Sequence, residues 1–162
     1  MPVVLFTLHA YGTWMPDRPQ GSFHHERGYQ KSDAKLAAAY RTKQQWPAAH
    51  FDAKTQQVIL NTLLELRSFQ HLDLYGIAID PSHVHVVAAW KDDRTPEQVQ
   101  DRLKHAVSQR LNESITKRPW FTRGGHDRRV RDRDHLKRLL DHYLPSHQGM
   151  NWDHRIHENR PR

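Results

Sequence analysis

Hydrophobic and polar positions alternate most cleanly at two places in the chain. Val3, Leu5 and Thr7 stand against Val4, Phe6 and Leu8, and His83, His85, Val87 and Ala89 stand against Val84, Val86, Ala88 and Trp90. A period of two in segments rich in β-branched residues predicts strands over Val3 to His9 and His83 to Trp90. A third strand is predicted over His71 to Ile79. The turn at Asp80-Pro81-Ser82 joins it to the His83 strand as an antiparallel hairpin.

Helical spacing fills the intervals. Asp33 is placed to cap a short Ala-rich helix to about Lys43. Asp52 is placed to cap a second helix through Val58, Ile59, Leu63 and Leu66. Thr95-Pro96-Glu97-Gln98 combines a cap, a first-turn proline and an acid with an amide. Val99, Leu103, Ala106, Val107 and Leu111 then mark the clearest amphipathic helix. Farther on, Pro119 to Thr122 and Arg128 to Arg131 predict short strands around Gly124-Gly125. Asp132 or Asp134 opens a last helix through Leu136, Leu139, Leu140 and Tyr143, which Pro145 breaks. The long polar loop from Tyr11 to Lys31 is of a length that is usually functional or disordered.

This order, β-α-β-β-α-β with a further helix, predicts an α+β chain. Its architecture is a ferredoxin-like (RRM-like) antiparallel sheet with helices on one face and an added C-terminal helix carrying Tyr143. One domain over residues 1–162 is expected, with residues 150–162 as a loosely held polar tail. The fold by itself decides no function.

Composition narrows the partner. The formal charge is +7 with 14 further histidines, the hydrophobic fraction is only 36%, and there is no cysteine. A basic surface favours a polyanion, with nucleic acid foremost. The absence of cysteine excludes disulfides and thiolate metal sites. No apolar run reaches the roughly 20 residues that a membrane span needs, and the first residues lack a signal-peptide pattern, so a cytoplasmic protein is expected.

His83 and His85 share a strand face and can hold one divalent cation between them, although a bare His-x-His is more often a plain polar pair. Tyr143 lies in the most basic third of the chain, with His147 and Gln148 following it. Arg123, Arg128, Arg129, Arg131, Arg133 and Lys137 are the candidates for phosphate contacts. Trp14 and Trp120 are candidates for stacking on unpaired bases. A phenol, a cation and a basic surface suit transesterification at a DNA phosphate. The cation is expected to be Mg2+ or Mn2+.

Three segments in order resemble the single-tyrosine HUH transposases, the insertion-sequence and REP-associated tyrosine transposases. Tyr11-Gly12-Thr13-Trp14-Met15-Pro16 resembles that family's opening Tyr-Gly-Thr-Trp-Leu-Pro segment. Ile79 to Val87 resembles its Met-Pro-(Asp/Asn)-His-Val-His-Leu-Leu hallmark, and Asp134 to Gly149 its tyrosine helix. The resemblance implies that His83 and His85 are metal ligands, Gln148 the third ligand, and Tyr143 the nucleophile of a 5′-phosphotyrosine intermediate. It implies a metal-dependent endonuclease and strand transferase acting on single-stranded or hairpin DNA, commonly as a homodimer.

Asp80 and Ser82 depart from the hallmark, and the Tyr-to-Gln spacing is one residue long. On a regular helix i+4 lies about 40° from the tyrosine and i+5 about 140°, which favours His147 where the motif favours Gln148. These departures keep a second function open, a hairpin-binding or regulatory protein of the same descent with weak or no catalysis.

Overall fold

Strand β1 (Val3–His9) buries Val4, Phe6 and Leu8 on one side, as its alternation predicts. The computed structural model describes residues 1–24 and 26–157; His25 and residues 158–162 lie outside the described residues. The polar loop is not featureless, since β2 (Ser22–His24) and β3 (Gly28–Gln30) pair in it as a small separate hairpin. Helices α1 (Ala34–Lys43) and α2 (Ala53–Phe69) follow. Asp33 and Asp52 cap them by accepting from the backbone N–H groups of Leu36 and Thr55, as expected.

β4 (Asp73–Asp80) and β5 (His83–Ala89) form the predicted antiparallel hairpin. Helix α3 (Pro96–Ser114) opens with the predicted capping box between Thr95 and Gln98. β6 (His126–Arg129) pairs with β1 at the sheet edge. The predicted Pro119 to Thr122 strand is reduced to one bridge, between Phe121 and Ala10.

Helix α4 (Arg133–Arg138), capped by Asp132, runs without a break into a wide π turn over Leu139–Tyr143 and a tight 3₁₀ turn over Leu144–Ser146. Pro145 accounts for the change. Its ring cannot sit against the carbonyl four residues back, and the neighbouring Leu144 N–H reaches five residues back to Leu139.

The main sheet has the order β6-β1-β5-β4-β7 and is antiparallel throughout. The first four strands reproduce the ferredoxin-like arrangement. The fifth, β7 (Asn151–Asp153), corrects the expectation of a loose tail. Asn151 to Asp153 pair with β4, Trp152 is buried in the core, and α5 (His154–His157) closes the described chain. The indole supplies apolar area that the polar neighbours lack, and this area anchors the segment.

The sheet divides the interior into two unequal parts. Val4, Phe6, Leu8, Ile77, Ile79, Val84, Val86 and Trp90 face α2 and α3, meeting Ile59, Leu63, Leu103, Val107 and Leu111. On the opposite side Leu5, Ala78 and Val87 meet Leu139, Leu140 and Leu144 from the C-terminal helical segment. Gly76 permits that approach, because a Cβ there would collide with the Leu140 and Leu144 side chains. The second face is covered only in part, and its uncovered end carries the polar residues described next.

Candidate active site

Cross-strand partners share a face, so register alone collects the site. His83 lies opposite His9 and Asp80, and His85 lies opposite Thr7 and Ala78. The turn that presents them is pinned from outside the hairpin. The Ala10 N–H and the Thr13 hydroxyl donate to the Ser82 carbonyl at 2.8 and 3.2 Å, and the Phe51 N–H donates to the Pro81 carbonyl. Within the Tyr11–Pro16 segment, Thr13 therefore braces the His83 turn.

The C-terminal segment lowers two side chains onto this end of the sheet. One ring nitrogen from each of His83, His85 and His147 lies within 4.8 Å of the other two. The Tyr143 Oη lies 3.4 Å from His85 Nε2, and the Tyr143 ring lies against those of both His85 and His147. Tyr143 is 42% exposed while its ring is held against the two imidazoles.

Each imidazole is oriented by its other nitrogen. His147 Nδ1 lies 2.9 and 3.1 Å from the carbonyls of Tyr143 and Leu144, which only accept, so Nδ1 carries a proton and leaves Nε2 as the nitrogen for a ligand. His85 Nδ1 lies 3.0 Å from the Thr7 hydroxyl, and His83 Nδ1 lies 3.0 Å from that of Ser82. Asp80 places a carboxylate oxygen 3.6 Å from His83 Nε2. Its other oxygen accepts from the backbone N–H groups of Gln148 and Gly149 at 3.0 and 3.3 Å.

Burial keeps the imidazoles at this point neutral. His85 is 3% exposed, and burial followed by the nearby His83 pulls its pKa down to about 3. His9 is drawn down to about 4 by burial and then by His83. His83 is also lowered by burial, against the opposing pull of Asp80. Neutral, clustered imidazoles are the protonation state that a metal ion needs. The Tyr143 phenol is pushed up by burial, an effect that the Arg128 guanidinium partly counters.

The structure thus brings together His83, His85, Tyr143 and, of the two residues left open after the tyrosine, His147. Gln148 is exposed, with its backbone N–H on Asp80. Among the basic residues, Arg128 shares the site face because it lies opposite Leu5, whereas Arg129 lies opposite Val4 and belongs to the other face. Arg123, Arg131 and Arg133 are exposed, and Lys137 forms an exposed ion pair with Asp141 at 2.7 Å.

Trp120 corrects the expectation of a stacking residue. It is 4% exposed in the main core, with its Nε1 donating to Asn112, so its faces are closed to a base. Trp14 is half-buried. Thr7, His9, Asp80 and Ser82 were not anticipated as parts of the site. Thr7 already shares a predicted strand face with Leu5, but only the β1–β5 register shows which residue it meets.

No protein-family model matches the chain, and no curated protein matches it. Among solved structures it is similar to one described as a REP-associated tyrosine transposase bound to a REP hairpin, with a TM-score of 0.50 and 8% identity. The match covers 88% of this chain and 64% of that one, so the chain spans less than two thirds of its neighbour's length. At that identity the likeness concerns the fold, and it agrees with the antiparallel sheet and helices described above. Among the described residues no helix is long and apolar enough to cross a membrane.

Proposed function

We propose that the protein is a metal-dependent single-stranded DNA endonuclease and strand transferase that uses Tyr143 as its nucleophile. The observation that carries this reading is the approach of the Tyr143 hydroxyl to a group of three imidazoles. The fold shared with a transposase bound to a DNA hairpin supports it, as does the net charge of +7.

His83, His85 and His147 would hold the ion. Three nitrogen donors favour manganese or another first-row ion over magnesium, which prefers oxygen. Such an ion, when bound, polarises the phosphoryl oxygens and offsets the charge that develops during substitution. Thr7, Ser82 and the Tyr143 and Leu144 carbonyls orient the three rings. The Tyr143 Oη forms a bond to phosphorus while the bond from phosphorus to the 3′-oxygen breaks. The phenolic proton goes to solvent and the departing 3′-oxygen takes one up, leaving a 5′-phosphotyrosine and a free 3′-hydroxyl. Reversal with another 3′-hydroxyl completes strand transfer.

Incubation of the protein with labelled single-stranded hairpin DNAs and Mn2+ tests this on denaturing gels. The expected result is a covalent adduct that disappears with EDTA and with Tyr143→Phe. Tight hairpin binding without an adduct across a broad hairpin library would instead identify a DNA-binding protein that has the fold without the chemistry.

A further inference from the structure

Beside Tyr143 a cavity of about 410 Å³ opens between β1, β6 and the C-terminal helical segment. Leu5 and Leu139 give it apolar walls, Arg128 and Arg138 border it, and Thr7, His126, His142 and Tyr143 line the rest. The β6 register explains the arrangement, because His126 and Arg128 lie opposite Thr7 and Leu5 and so share their face. No carboxylate is among the described residues that line it, and neither guanidinium makes a hydrogen bond or ion pair to a described residue. This contrasts with the ion-paired Lys137 and Arg155 nearby.

We infer that this cavity is a nucleotide subsite. It takes the sugar and base of the unpaired nucleotide next to the scissile phosphate against Leu5 and Leu139, with that nucleotide's own phosphate on Arg128 and Arg138. Two guanidiniums without an ion pair among the described residues, over an apolar wall, match a ligand that is anionic at one end and flat and apolar at the other. The volume lies in the range of small-ligand pockets and is too small for duplex DNA. The inference rests on the reading that Tyr143 attacks DNA, since that reading brings a nucleotide to this side of the hydroxyl.

The test is made in EDTA, so that it does not depend on the metal or on cleavage. Fluorescence anisotropy with an oligothymidylate of about 12 nucleotides compares the wild type with Arg128→Gln, Arg138→Gln and Arg110→Gln. Arg110 lies on α3, on the opposite side of the sheet, where it pairs with Glu65. The first two variants are expected to lose about tenfold in affinity each. Each should also lower the slope of log K against log salt by about 0.7, whereas Arg110→Gln stays within about twofold of wild type.

Equal losses in all three variants, or no loss in the first two, would overturn the subsite. A second measurement follows the His126 ring protons by NMR. Thymidine 5′-monophosphate is expected to shift them at far lower concentration than inorganic phosphate. Equal potency of the two would reduce the cavity to a simple anion site and overturn the inference. If the adduct assay fails while these results hold, the subsite stands and the nucleophile is wrong; the opposite pair of results condemns the subsite alone.

Discussion

Tyr143 and His147 are four residues apart, and their rings stand 5.1 Å from centre to centre although Pro145 lies between them. Regular helical geometry puts i+4 near the tyrosine, and the wide turn through Tyr143 followed by the tight one preserves that relation. Gln148, one residue on, instead turns its backbone toward Asp80. The two side chains should therefore differ sharply in a metal titration. Calorimetry with Mn2+ is expected to show His147→Ala weakening binding by about 100-fold or more, the upper end for loss of an oriented ligand or its support. Gln148→Ala should stay within about threefold. A reversal of that order would show that the glutamine is the third ligand.

The residues of this site were unequally legible before the fold was known. His83 and His85 could be placed on one face from alternation alone. Tyr143 was singled out by its basic surroundings and by resemblance. The choice between His147 and Gln148 could not be read, because Pro145 removes the regular helix on which any angular argument depends. Asp80 looked like a departure from a family pattern; in place, it ties the His83 end of the hairpin to the turn after His147.

At the level of elements, β1, α2, β4, β5 and α3 followed from cap residues and hydrophobic spacing, which local chain chemistry determines. The short strands followed only in part: the strand expected over Arg128 to Arg131 lies instead at His126–Arg129. His126 to Arg129 are all exposed and carry no apolar alternation, so their extended form comes from pairing with β1. Asn151 to Asp153 read as tail because the sequence there is polar, yet Trp152 fills the core beside β4. Trp152→Ala is accordingly expected to cost about 3–5 kcal/mol in urea unfolding, the range for deleting a buried large aromatic. A loss under about 0.5 kcal/mol would mean that the segment contributes nothing to the fold.

Across the whole molecule, one sheet separates a large apolar core from a small one, and the candidate site occupies the end that the small core leaves uncovered. Neutral histidines are buried there without a compensating charge for each. His9 and His85 hold protons only below about 4 and 3 in the folded protein, whereas an unfolded chain takes them up near 6.5. Between those values the unfolded state binds more protons, so metal-free stability is full above about pH 7 and falls as the pH drops through 6.5. At pH 5 the His85 contribution alone is on the order of 2 kcal/mol. The cap residues Asp52 and Asp132 are lowered instead, so they stay ionised at pH 5 and leave this window to the histidines. Urea unfolding in EDTA at pH 7.5 and 5.0 should show that loss, and His85→Gln should reduce it. Equal stability at the two pH values would contradict the buried, neutral assignment.

The chemistry itself is best tested by locating the attached DNA. After reaction with hairpin DNA and Mn2+, protease digestion and peptide mass spectrometry should find a phosphate-linked nucleotide on the peptide containing Tyr143. None should form with His83→Ala and His85→Ala combined. Attachment at another residue, or an equal yield of adduct in EDTA, would contradict a metal-assisted attack by Tyr143.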